Sequence, residues 1–161
     1  MQKKVVLLFD CLRDPRDLAQ MVHLGLATDT EIELTGNSIQ PTHQKVINII
    51  DSWIHNFRDN QTLEHVSIHQ DFEKRIKALK KQGYEIVGTS PNVGTNLFNF
   101  DFSNGKQVIV FGTETSGLSK EKMALLDKMI KVPMQNGTKF YTITAIAPVF
   151  AYEALRQKKL I

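Results

Sequence analysis

The chain has 161 residues, of which 42% are apolar and 23% are charged, and its formal net charge is +3. This composition is typical of globular proteins and predicts one domain with a hydrophobic core. No apolar run approaches the roughly 20 residues that cross a bilayer, and the short run near the N-terminus ends at Asp10, unlike a signal peptide. We therefore expect a cytoplasmic protein, and its single cysteine, Cys11, excludes an internal disulfide.

Short apolar runs that end at an acid, a glycine or a turn predict six strands. They are Lys4–Asp10, Glu31–Gly36, His65–Ile68, Tyr84–Pro91, Lys106–Gly112 and Met129–Met134. Amphipathic segments between and after them predict five helices. These lie within Asp14–Ala27, Thr42–Phe57, Gln70–Gly83, Ser119–Lys128 and Thr142–Lys159. Asp14 and Ser119 are the expected caps, and Pro148 should kink the last helix or delay its start.

The alternation of strands and helices predicts an α/β sandwich with a mostly parallel sheet, in which ligands bind beyond the carboxyl ends of the strands. Three strand ends carry glycine and small polar residues, namely "GTSP", "FGTETSG" and "VPMQNG". The chain has no dinucleotide-binding or P-loop glycine pattern, and its five histidines lack metal-ligand spacing. A two-glycine turn alone is more often structural than functional, so the three turns together carry the prediction.

Basic residues cluster at Glu73–Lys81, Lys128–Lys131 and Arg156–Lys159. Charge runs of this kind are usually solvated surface. A mildly basic chain nevertheless permits contacts with nucleic-acid phosphates, and such binding would weaken steeply with added salt.

Four stretches carry a resemblance to a known family. "VFGTETSGLS" (Val110–Ser119) fits one family motif throughout, while "VPMQNG" (Val132–Gly137) and "YEALRQ" (Tyr152–Gln157) fit the two ends of another. "DPRDLAQMVHL" (Asp14–Leu24) fits a third motif imperfectly. On these residues the chain resembles the SpoU/TrmH branch of the SPOUT RNA methyltransferases over essentially its whole length.

The resemblance implies a SPOUT-type three-layer sandwich with a deep C-terminal trefoil knot. It implies a single domain over residues 1–161, with no appended RNA-binding domain, that forms a homodimer through the knot region. The implied cofactor is S-adenosylmethionine, and the implied partner is tRNA or rRNA, methylated at a ribose 2′-hydroxyl. Neither a membrane nor a metal is expected.

Carried over residue by residue, the resemblance places eight residues against the cofactor. They are Gly88, Thr89, Gly112, Glu114, Val132, Met134, Phe140 and Tyr141. Glu114 matches the motif glutamate, and we expect it to accept backbone N–H bonds at the start of the following helix. That role is as much structural as functional.

The chain differs from the family pattern at the positions to which the resemblance assigns the chemistry. Asp17 and His23 stand where the family has asparagine and arginine, and Phe140, Tyr141 and Thr142 replace Ser-Leu-Asn. The candidate catalytic residues are therefore His23, Asp17, Glu114 and Thr142. An ordinary histidine pKa of about 6.5 suits a base better than that of arginine, so His23 could replace the arginine if Asp10, Glu114 or a second subunit oriented it. His23 could equally be a helix residue that faces a partner or the core.

Two hypotheses of different class follow. The first is an active RNA ribose methyltransferase with a remodelled site, in which the aromatic pair Phe140 and Tyr141 stacks on a base or on adenine. The second is an inactive knotted RNA-binding or scaffold protein, in which the pair fills the space of lost polar residues. A small-molecule enzyme with the same pocket is a third possibility, and the basic clusters favour RNA over it.

Overall fold

The computed structural model describes residues 4–54, 63–138 and 141–161. Within them the strands are β1 (Val5–Asp10), β2 (Glu31–Thr35), β3 (Val66–His69), β4 (Tyr84–Thr89), β5 (Thr95–Asn96), β6 (Lys106–Phe111) and β7 (Lys128–Lys131). The α-helices are α1 (Pro15–Thr28), α2 (Gln44–Trp53), α3 (Phe72–Lys81), α4 (Lys120–Met123) and α5 (Ile143–Lys158). Strand and helix alternate through most of the chain, as the sequence predicts.

The seven strands described form one sheet in the order β3-β2-β1-β6-β4-β7-β5. Each neighbouring pair is parallel. All six predicted strands are present, and the sequence missed only β5. This strand has two residues, Thr95 and Asn96, which pair with β7 at the sheet edge. Two residues are too few to show a periodic pattern, so the segment could be taken only for a connection.

The sheet is covered on both faces, which gives the predicted three layers. β1 is buried along its whole length and alternates its side chains between two hydrophobic clusters. Leu7 and Phe9 belong to the cluster that α1, α2 and α5 cover. Val6 and Leu8 belong to the opposite cluster, which α3 covers. A strand buried on both sides must be a continuous apolar run, and that is why β1 was recognisable from sequence.

A buried ion pair fixes α3 to the sheet. Glu33 of β2 is only 3% exposed, and Arg75 of α3 donates to its two carboxylate oxygens over 2.7 and 2.5 Å. Burial and the charge of Arg75 together lower the pKa of the neighbouring His69, against the opposing effect of Glu33. The bidentate geometry satisfies a carboxylate that would otherwise be a costly buried charge.

Helix α5 runs without interruption from Ile143 to Lys158 with Pro148 inside it, so the proline does not delay its start. Near its end Lys158 is buried, and its ammonium donates to the carbonyl oxygens of Phe102 and Gly105 over 2.7 and 2.9 Å. These bonds fix the helix to the segment that leads into β6. None of the described helices has the length and apolar character to cross a membrane.

Candidate active site

A cavity of about 590 Å³ opens where β4, β6 and β7 end. Because these strands are parallel neighbours in the sheet, their carboxyl ends bring the three glycine-bearing segments to one edge. The lining residues come from the turn after β4, the loop after β6, the segment after β7 and α5. They are Thr89, Ser90, Pro91, Phe111, Gly112, Thr113, Glu114, Thr115, Ser116, Gly117, Val132, Met134, Tyr141, Ile143, Ile146 and Phe150.

The loop after β6 closes on itself to form one wall of this cavity. Thr113 and Gly117 exchange two backbone hydrogen bonds of 3.3 and 2.8 Å, and the hydroxyls of Thr113 and Ser116 lie 2.8 Å apart. Gly117 has a φ of +66°, which a residue with a side chain rarely adopts. A Cβ on Gly112 would lie 2.3 Å from the backbone carbon of Gly117, so the two glycines are both required by this tight closure.

Glu114 connects this loop to the last helix. Its carboxylate accepts the backbone N–H of Ile143 over 3.4 Å, at the first residue of α5. Thr142, the N-cap of α5, makes no capping bond with its own side chain. The sequence predicted that Ser119 would cap the next helix, α4, and Ser119 does so through the N–H of Lys122. It also predicted that Glu114 would accept backbone N–H bonds at the start of α4, whereas the bond that Glu114 accepts is at the start of α5. Glu114 therefore supplies the hydrogen bond at the N-terminus of α5 that the Thr142 side chain does not make.

Asp17 of α1 lies close enough to Glu114 for the two carboxyl groups to interact. Partial burial, followed by the charges of Glu114 and Asp14, raises the pKa of Asp17 from its ordinary value of 3.8 to about 6, while Arg16 opposes the change. Two neighbouring carboxyl groups resist ionising together, so Asp17 holds its proton more tightly than an isolated aspartate does. The contact joins the start of α1 to the cavity wall.

The SpoU rRNA Methylase family matches residues 4–143 of the chain. The chain belongs to this family. The resemblance seen in the sequence motifs is thereby confirmed.

Two curated relatives illustrate the family match. A tRNA (guanosine(18)-2'-O)-methyltransferase of Borreliella burgdorferi is 41% identical over 81 residues, which are 50% of this chain and 37% of that protein. A protein of the same name from Thermus thermophilus is 28% identical over 94 residues, covering 58% of this chain and 48% of that protein. The SpoU-family chain thus spans about half or less of the length of these two relatives.

Solved structures support the fold. The SpoU Methyltransferase AviRb from Streptomyces viridochromogenes, solved in complex with the cofactor AdoMet, gives a TM-score of 0.82 at 20% identity over 100% of this chain and 63% of that one. A structure concerned with 2-OH methylation of C/U34 on tRNA gives a TM-score of 0.82 at 19% identity over 99% of this chain and 93% of that one. At such identities the likeness establishes the α/β architecture of the SpoU-family chain.

The cavity gathers most of the residues predicted to touch a cofactor. Six of them line it, and they are Thr89, Gly112, Glu114, Val132, Met134 and Tyr141. Gly88 does not, because its missing side chain would point at Leu126 and Met129 on the other face of the sheet. Phe140 lies outside the described residues, so its predicted contact stays a prediction.

His23 and Thr142, both predicted to be catalytic, do not line this cavity. His23 is exposed on α1, and its ring stacks on Trp53 of α2 with the ring centroids 5.9 Å apart. The two carboxylates suggested to orient His23 are engaged elsewhere. Asp10 forms an ion pair with Lys122, and Glu114 contacts Asp17. Asp17 and Glu114 were both candidates from the sequence, but their contact was not predicted, because it depends on how α1 and the β6–α4 loop of this SpoU-family chain meet in space.

The cavity suits an adenosyl group that carries a cationic sulfonium. Val132, Met134 and Phe150 provide an apolar wall for a purine, and the Glu114 carboxylate provides negative charge for a cation. Among the residues that the structure describes, no cluster of His, Cys, Asp or Glu could hold a metal ion. This SpoU-family site places carboxyl groups beside an apolar cavity of cofactor size.

Proposed function

We propose that the chain uses S-adenosylmethionine to methylate a ribose 2′-hydroxyl in tRNA or rRNA. The observation that carries the proposal is the cavity of about 590 Å³ at the ends of β4, β6 and β7, walled by the family-motif loop. Family membership and relatives named as tRNA guanosine 2'-O-methyltransferases support the reaction class. They do not favour an inactive scaffold.

The cavity-lining residues are proposed to bind the cofactor. Val132 and Met134 would contact the adenine, and the backbone of the closed loop at Gly112 would contact the polar groups. When bound, S-adenosylmethionine would supply a methyl group on a positively charged sulfur. The chain's own residues would exclude water from it and hold the acceptor hydroxyl in line, which is where positioning lowers the barrier to transfer.

We also propose that the C-terminal part is knotted and that two copies associate there. Apolar side chains stay exposed on α5, including Tyr152 at 47% and Val149 at 38%. Exposed apolar patches of this kind commonly mark association surfaces. Sedimentation velocity is expected to give twice the 18.3 kDa chain mass. A Tyr152→Glu variant should shift the species toward monomer, and a wild-type monomer would contradict the association.

Isothermal titration calorimetry with S-adenosylmethionine tests the cofactor site. We expect saturable binding that Met134→Ala weakens roughly five- to tenfold, since truncating a methionine in a binding wall removes on the order of 1 kcal/mol of contact. Met123→Ala is the matched control, because Met123 is also partly buried but packs on the opposite core cluster. Absence of binding at millimolar cofactor would refute the site.

Tritium transfer to unmodified bulk tRNA and rRNA tests the reaction. Methylated RNA is then digested, and resistance of the labelled linkage to alkaline cleavage identifies a 2′-O-methyl group. Label found only on a base would leave the cofactor site standing and overturn the proposed ribose chemistry.

A further inference from the structure

A second depression lies between the start of α1 and α2, with a volume of about 570 Å³. Its lining residues are Asp14, Pro15, Arg16, Asp17, Lys45, Asn48 and Ile49. We call it the α1–α2 groove. Asp17 lines this groove, whereas Glu114, with which it interacts, lines the cofactor cavity. The two carboxyl groups therefore connect a residue of the groove with a residue of the cavity.

This geometry meets the main requirement of a group transfer between two bound molecules. The donor and the acceptor must be held in separate sites whose reacting atoms come within about 3–3.5 Å. Here the cavity that suits the cofactor and the groove that is open to a second molecule are linked by the neighbouring side chains of Glu114 and Asp17. Asp17 lines the groove, where it would offer a proton acceptor to an incoming hydroxyl.

We propose, on the basis of the methyl transfer proposed above, that the α1–α2 groove receives the ribose of the target nucleotide and that Asp17 accepts the proton of its 2′-hydroxyl. Asp17 would thus be the catalytic base in the place where the sequence suggested His23. Glu114 would be a positioning residue, because its carboxylate is fixed by the N–H of Ile143 and its charge favours transfer of the proton to Asp17.

The step balances within these groups. The ribose oxygen forms a bond to the methyl carbon as the carbon–sulfur bond breaks, and that electron pair stays on sulfur, which becomes neutral. The hydroxyl proton passes to an Asp17 oxygen, and the resulting neutral carboxyl donates a hydrogen bond to Glu114. Since Asp17 is only half-buried, the proton then leaves to solvent and restores the carboxylate.

The charges that surround Asp17 agree with this role. Asp14 and Glu114 raise its proton affinity, and the pKa of about 6 leaves it ionised near neutral pH yet a useful base. Arg16 opposes them, and Lys45 of α2 faces the same groove. Asp14 is also committed to capping α1 through the N–H of Arg16 over 2.8 Å. The two cations suit the phosphates that flank a ribose in RNA.

The pH dependence of single-turnover methyl transfer by Asp17→Asn tests the base. For the wild-type protein we expect the rate to rise with pH and level off above about 6. A plot of log rate against pH should rise with a slope of about one, as for the ionisation of a single group. Asp17→Asn should lose roughly 10²–10⁴-fold in rate together with this rise, while its calorimetric affinity for S-adenosylmethionine stays within about twofold. His23→Ala is measured beside it.

Two measurements without turnover keep the test independent of activity. Carboxyl-carbon NMR of the cofactor-free protein should show Asp17 titrating near pH 6, and Glu114→Gln should lower that pKa by part of the shift, because burial remains while the neighbouring charge is gone. Fluorescence anisotropy with labelled unmodified tRNA should show Lys45→Gln binding several-fold more weakly, with the salt slope reduced by about one. Lys81→Gln, an exposed lysine of α3 beyond the opposite face, is the matched control.

The outcomes separate the two proposals. A wild-type protein that methylates RNA while Asp17→Asn keeps its rate and pH profile would overturn the inference and leave the proposed function intact. The inference would also be overturned, with the proposed function intact, if only His23→Ala abolished the pH dependence of the rate. Equal affinity of Lys45→Gln and Lys81→Gln for RNA would have the same consequence. A wild-type protein that binds cofactor but transfers no methyl to any RNA overturns the proposed function, and the inference falls with it.

Discussion

Replacing Asp17 with asparagine should stabilise the fold at alkaline pH. The pKa of Asp17 is raised in the folded state, so the folded protein holds this proton more tightly than the unfolded chain does. The stabilisation is full below the unfolded pKa of 3.8 and is lost as pH rises through about 6. An asparagine amide can donate to Glu114 at every pH, as the protonated acid does. The variant should therefore keep this stabilisation as the pH rises.

The magnitude follows from the two pKa values. The interval from 3.8 to about 6, at roughly 1.36 kcal/mol per pH unit, gives an upper bound of about 3 kcal/mol. Asp17 is only half-buried, so solvent screening reduces this to about half, and loss of a negative charge in the first turn of α1 removes about 0.5 kcal/mol more. We expect Asp17→Asn to be about 1 kcal/mol more stable than wild type at pH 8 and indistinguishable from it at pH 4.

Urea unfolding followed by circular dichroism at both pH values measures this difference. Glu121→Gln, which neutralises an exposed acid of α4, is the control for net charge and should show no pH-dependent difference. If Asp17→Asn were equally or less stable than wild type at pH 8, the unfavourable contact between the two carboxyl groups would not exist in solution.

Three other substitutions test the packing around the site. Arg75→Ala should lower the free energy of unfolding by about 3 kcal/mol in urea titrations, because it leaves the Glu33 carboxylate buried without its partner; a loss below 1 kcal/mol would mean that water replaces the guanidinium. Gly88→Ala should lower it by about 1–3 kcal/mol, since the added carbon would lie 2.4 Å from a leucine methyl, and a neutral effect would contradict this crowding. Gly112→Ala should abolish calorimetric cofactor binding, because the added carbon would meet the backbone of Gly117 at 2.3 Å; wild-type affinity would show that the closed loop is not needed.

The local parts of the structure were predictable from the sequence. The continuous apolar run of β1, the Asp14 cap and the stop of α3 before Gly83 each depend on a few neighbouring residues, and the structure has them. The three glycine-bearing turns were also correctly expected to share one edge, because parallel strands place their carboxyl ends together.

The contacts that define the site were not predictable in the same way. Whether Glu114 contacts Asp17, His23 or α4 depends on the order of strands in the sheet and on the tilt of α1, neither of which leaves a periodic signal. The same limit applies to His23, whose stacking on Trp53 needs α1 and α2 to be placed first. Family resemblance supplied candidate residues, but pairing among them came from the fold.

The carboxylate of Glu114 interacts with the beginnings of two different helices, α1 and α5. The amide of Ile143 at the beginning of α5 donates to it, and Asp17 at the beginning of α1 interacts with it, so unwinding either first turn changes the surroundings of a carboxylate that the other helix also contacts. We therefore expect local opening at the two positions to be coupled, and hydrogen exchange at the Ile143 amide should respond to the protonation of a residue on another helix. The segments at the mouth of the cavity, including the first turns of α1 and α5, should accordingly open and close together.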